Sequence, residues 1–132
     1  MVDALKVALP DSIWAEPAVK GLANFGNAGG PYGSDCGALQ AAVLMMTLVG
    51  APGDLKLELY KWYCDTPFPS TEWDSLYPIS NTIQSVAGSP LCHISRAIWE
   101  GVFIREVYSV TGVYDSTRCG KMPRDVTKKI VE

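Results

Sequence analysis

Apolar positions recur with helical period along much of this 132-residue chain. Leu39, Val43, Leu44 and Leu48 line one such stripe, with Ser34 placed to cap its start and Gly50 to stop it. Gly53 and Asp54 open a second helix. Leu55, Leu57, Leu59, Tyr60 and Trp62 fall on or near its buried side, and it must end before Pro67. A third runs through LCHISRAIWEGVFI, where Ser89 reads as the N-cap and Pro90 as the first helical residue. The segment DSTRCGKMPRDVTKKIVE begins on a capping residue, Asp115 or Ser116. Pro123 is expected to kink or restart it before RDVTKKIVE closes as a helix.

The connections are rich in glycine, proline and aromatic residues. Residues 1–12 read as a loosely attached arm, and IWAEPAVKGLANFG as a short helix stopped by Gly26. Glycines 26, 29, 30, 33 and 37 make a loop, without the Gly-Lys-Ser/Thr ending of a nucleotide site. DTPFPSTEWDSLYPIS predicts an extended surface-hugging loop whose Phe68, Trp73 and Tyr77 cover the core, followed by a short helix or turn around NTIQSVAG. REVYSVTGVY carries the β-branched residues of a strand, but a single strand has no partner. The pattern therefore predicts an all-α fold: a single helical domain, 1–132, of four to five helices with long Gly/Pro-rich loops.

Composition narrows the function. Hydrophobic residues make up 48% and charged residues 19%, which argues against disorder and for a lightly charged, partly sticky surface. A net charge of -3 leaves no electrostatic footprint for nucleic acid. The longest apolar run, ALQAAVLMMTLVGA, is shorter than a membrane span. The first residues lack the order of a signal peptide, so the expectation is a cytoplasmic protein, or a periplasmic one if a leader has been removed.

The candidate chemistry lies in four cysteines, Cys36, Cys64, Cys92 and Cys119, none in the close pairs of zinc ribbons, thioredoxins or c-type cytochromes. Cys36, Cys92 and Cys119 each fall in the first turn of an expected helix, where free N–H groups and a partial positive charge favour the thiolate. Arg118 adds a cation beside Cys119. Cys64 sits at a helix C-terminus beside Asp65, where a thiolate is disfavoured. Thiolates bind iron or zinc, yet spacing alone names no metal. Buried structural cysteines, paired disulfides and low-pKa thiol–disulfide chemistry stay open, as does a zinc-holding interaction subunit. His93 is the single histidine, which leaves little room for a hydrolytic constellation, and none stands out.

The segments GSDCGALQAA, KWYCDTPFPS, GSPLCHIS and RCGKMPRDVTKKIVE resemble, in that order, the C_GCAxxG_C_C redox-protein family and specifically its split-Soret cytochrome branch. The likeness spans roughly residues 24–132. It implies a helical, dimeric electron carrier with a cysteine-bound iron–sulfur cluster, [2Fe–2S] or [4Fe–4S], serving a redox partner protein or a larger redox complex. Cys36, Cys92 and Cys119 match family cysteines. The family's early cysteine, upstream of the glycine loop, has no counterpart here, and Cys64 stands where a non-cysteine is expected. A displaced fourth ligand at Cys64 would complete a four-thiolate set. The branch's haem motif, Cys-x-x-Cys-His, is absent. SPLCH is its nearest approach, and Ser89-Pro90 reads there as a helix start, so the expectation favours a cluster over haem on Cys92 and His93.

Overall fold

The computed structural model describes residues 34–77, 83–109 and 117–132. The expected N-terminal arm and first helix and the glycine loop before Ser34 lie outside them, and the last helix is capped by Thr117 in place of the expected Asp115 or Ser116. Among the described residues the chain runs through α1 (Gly37–Leu48), α2 (Gly53–Asp65), β1 (Pro67–Phe68), a 3-10 helix (Thr71–Leu76), β2 (Ser85–Val86), α3 (Cys92–Phe103) and α4 (Arg118–Val131). The fold is helical, as the apolar spacing predicts. Its described sheet is a two-stranded antiparallel clip in which Pro67 faces Val86 and Phe68 faces Ser85.

α1 stops where expected. Gly50 takes a φ of 74°, and the amides of Gly50 and Ala51 reach back to the carbonyls of Thr47 and Met46 at 3.1 and 2.8 Å. This closure needs a left-handed residue that glycine supplies without steric cost. The core gathers Cys36, Leu39 and Ala42 of α1, Leu59 and Tyr63 of α2, Phe68, Ala87, and Met122 and Val126 of α4. Tyr63 and Phe68 stack obliquely at 5.3 Å between ring centres. On α3, Trp99 lies nearly parallel to Phe103 at 4.9 Å and donates its indole N–H to the Ile83 carbonyl at 2.8 Å.

Several expectations are corrected. The helix starts slide inward: Cys36 itself caps α1 and Leu91 caps α3, in place of Ser34 and Ser89. The cause is tertiary. Asp35 and Leu91 form an isolated antiparallel bridge, with Cys36 N–H donating to the Pro90 carbonyl at 2.8 Å and Cys92 N–H to the Ser34 carbonyl at 2.9 Å. Both chains therefore stay extended up to Cys36 and Leu91, and Ser89 closes a small turn by accepting from Leu91 N–H at 3.2 Å. On α2, Leu55 and Leu57 are exposed, while Leu59 and Tyr63, one turn apart, face inward. α3 runs on into a π-helical turn, Ile104–Tyr108, where the β-branched run suggests a strand. Pro123 sits inside a continuous α4.

The stretch after β1 is more structured than a loop. It folds into the 3-10 helix and straps onto α4. Asp125 accepts from Ser70 N–H at 2.9 Å and from the Trp73 indole at 2.6 Å. Lys121 reaches Asp74 at 2.9 Å, and Lys128 reaches Glu72 at 2.8 Å. Gly120 leaves the space that Tyr77 fills, since a Cβ there would lie 3.0 Å from the Tyr77 hydroxyl.

Candidate metal centre

The Asp35–Leu91 bridge decides how two of the cysteines meet. Cys36 and Cys92 each follow a bridged residue, so the pleat turns both side chains to the face opposite Asp35 and Leu91. They are diagonal neighbours across the ribbon, and each begins a helix. Cys119 arrives from the first turn of α4, whose backbone there is held by the amides of Gly120 and Lys121 on the Thr117 carbonyl. The N-terminal ends of α1, α3 and α4 thus supply Cys36, Cys92 and Cys119, and Cys92 lies within reach of the charges of both others. Cys36 is buried, Cys92 half-buried and Cys119 exposed.

Beneath the cysteines is a chain of polar contacts that sequence reasoning missed. The Cys36 thiol points to the Met122 sulfur at 3.4 Å. The Tyr63 hydroxyl lies 3.3 Å from that same sulfur and 3.2 Å from Ser95 Oγ. Ser95 in turn accepts a hydrogen bond from Arg118 Nη2. Ser95 is fully buried, and Arg118 is 4% exposed. Among the described residues no carboxylate pairs with Arg118, and its Nε has no hydrogen-bond partner. The one turn between Leu59 and Tyr63 is a sequence signal for the tyrosine; nothing local marks Ser95.

The electrostatics correct one expectation. Burial first, then the neighbouring Cys36 and Cys119, push the Cys92 thiol above its ordinary range, against the pull of Arg118 and Arg96. A helix N-terminus does not offset desolvation and two like-charging neighbours, so Cys92 is a thiol in the metal-free chain. Cys64 follows its expectation: it ends α2, and burial, Asp65 and Asp35 all push its thiol up. Its carbonyl anchors Gly88 N–H at 2.9 Å. Cys64 thus answers to the carboxylates around Asp35, while Cys36, Cys92 and Cys119 form the coupled trio. Tyr63 is held strongly protonated by burial and by Cys36. His93 is exposed on α3.

No three Cys, His, Asp or Glu side chains among the described residues converge tightly enough to hold a single metal ion. The donor set is nonetheless of a kind that suits iron: three cysteines at helix starts, and a buried guanidinium that no carboxylate among the described residues answers.

The fold and site together define a small helical domain with thiols gathered at converging helix N-termini. Among solved structures it is similar to the split-Soret cytochrome c from Desulfovibrio desulfuricans ATCC 27774, described as having a novel iron centre, with a TM-score of 0.78 and 22% sequence identity. The likeness covers 98% of this chain but 55% of the cytochrome, so the domain spans little more than half of that protein's length. No family model and no curated protein matches the chain. The split-Soret resemblance of the motifs is thus joined by a likeness of fold, while the wider C_GCAxxG_C_C assignment rests on the motifs alone.

Proposed function

We propose that this domain is an electron-transfer protein that holds an iron–sulfur cluster through the thiolates of Cys36, Cys92 and Cys119, a fourth ligand at Cys64 requiring that thiol to turn from the Asp35 side of the bridge toward the trio. The observation that carries the reading is the buried Arg118, next to Cys119 in sequence and close enough to Cys92 to act on its thiol. A lone guanidinium in the interior costs several kcal/mol unless an anion answers it. Thiolate-bound iron is such an anion, and its loading would release the thiol protons of its ligands. The iron centre of the split-Soret cytochrome c, on a similar fold, lends support.

The bound group supplies the capacity to take up and give back one electron. This chain's residues do the rest. Cys36, Cys92 and Cys119 anchor it, and the first N–H groups of α1, α3 and α4 favour negative charge there. Tyr63 and Met122 keep water from its inner side, while the exposed Cys119 marks the edge facing solvent and a redox partner protein. Assembly as a homodimer or as a subunit of a redox complex belongs to the same proposal.

A visible spectrum of protein purified without oxygen, before and after dithionite, tests it. The expected result is a broad sulfur-to-iron absorption that bleaches on reduction, lost in Cys36→Ser, Cys92→Ser and Cys119→Ser. Cys64→Ser decides the fourth ligand: retention of the full spectrum removes Cys64 from the set. A sharp Soret band would point to haem at Cys92, and a colourless protein after reconstitution with iron and sulfide would end the iron reading.

A further inference from the structure

We propose that Arg118 is the internal counter-cation of the anionic group seated where α1, α3 and α4 begin, and that its Nε donates to that group. The proposal rests on the iron reading for the identity of the anion, but not for its existence. The argument turns on a contrast within α4. Lys121 is also fully buried, and the fold gives its ammonium the Asp74 carboxylate at 2.9 Å. Arg118, one turn earlier and 4% exposed, receives a neutral hydroxyl, that of Ser95, and its Nε receives nothing among the described residues. Where a buried cation is structural, α4 shows what completes it. Arg118 is incomplete.

It is also held in place. Ser95 is fixed by the Tyr63 hydroxyl at 3.2 Å, and Tyr63 by its 3.3 Å contact with Met122, so one edge of the guanidinium is pinned from beneath. A planar guanidinium anchored through one nitrogen still presents its remaining N–H groups in a fixed plane, which an ammonium cannot do. Arg118 is thus a positioning residue: it adds charge and direction to a site whose ligands are the cysteines.

This makes a prediction about sign that a structural role would not. Arg118→Met keeps the bulk and removes the charge. In metal-free protein it should leave the thermal midpoint equal to that of the parent or raise it, because an uncompensated buried cation is gone. In protein reconstituted without oxygen with iron and sulfide, the same variant should retain iron about 10–100-fold more weakly, the usual effect of losing a supporting group. What iron it keeps should show a lower midpoint potential. Arg118→Lys, which keeps the charge without the plane, should hold its potential nearer the parent while binding iron less tightly.

A metal-free Arg118→Met protein that melts below the parent, or fails to fold, overturns the proposal, as does one with iron retention and potential unchanged. The two readings fail separately. If the parent itself takes up no iron, the iron reading falls, and the metal-free melting comparison still decides whether Arg118 awaits an anion.

Discussion

Tyr60 shows how one hydroxyl can report on the site's outer face. It donates to Asp35 Oδ2 at 3.0 Å, and burial, that hydrogen bond and the Asp35 charge push it up to about 12. An unfolded chain loses the same proton near about 10. The folded state therefore binds the proton more tightly, and the contribution is complete below about pH 10 and lost as pH rises to about 12. Thermal melts across that window should show the parent losing more stability than Tyr60→Phe; parallel losses would assign the alkaline transition to other groups. The cysteines make a second residue-scale case. With Cys92 pushed up by burial and its two neighbours, metal-free protein treated with iodoacetamide near neutral pH should be modified first at the exposed Cys119, with Cys92 lagging. Peptide mapping by mass spectrometry reads the order, and fast labelling of Cys92 would restore the thiol–disulfide reading.

The elements locate what the residues do, and α4 carries most of the burden. Its Asp125, 7% exposed, satisfies both Ser70 N–H and the Trp73 indole. Asp125→Ala leaves these two donors unmet, at about 1–3 kcal/mol for each that stays dry. Urea unfolding should show that loss, whereas Lys128→Ala, which breaks an exposed pair with Glu72, should leave the urea midpoint close to that of the parent. The existence of α1 to α4 and the stop at Gly50 were legible, because helix periodicity and left-handed glycine are local properties; the buried faces were read less well, since Leu48, Leu55 and Leu57 are exposed. The starts of α1 and α3 were not. They are displaced by a bridge between Asp35 and Leu91, residues far apart in sequence, and nothing near Ser34 or Ser89 announces it. The placement of Cys36, Cys92 and Cys119 at helix beginnings was legible for the same local reason. The ionisation of Cys92 was not, since its desolvation and the charges around it depend on how three distant segments pack. Trp73 illustrates the middle ground: its role near the core was readable, its Asp125 partner was not.

At the scale of the whole molecule, a core shared by α1, α2 and α4 makes the cysteine site dependent on packing rather than on any one helix. Leu39 is fully buried at its centre. Leu39→Ala should cost about 2–5 kcal/mol, measured by chemical unfolding, and should loosen Cys36 and Met122 along with it. No helix among the described residues is long and apolar enough to cross a membrane. The split-Soret likeness at 22% identity indicates that this packing tolerates extensive replacement of side chains. The position of α4 has a bearing on biogenesis as well. A nascent chain exposes Cys36 and Cys92 to the cell well before Cys119, and Arg118 emerges immediately ahead of that last thiol. The half-made domain therefore offers three thiols, Cys64 among them, before the Arg118 guanidinium is present. α4 delivers thiol and cation in the same turn, so a group held by all three thiols completes its ligand set only once α4 has been made.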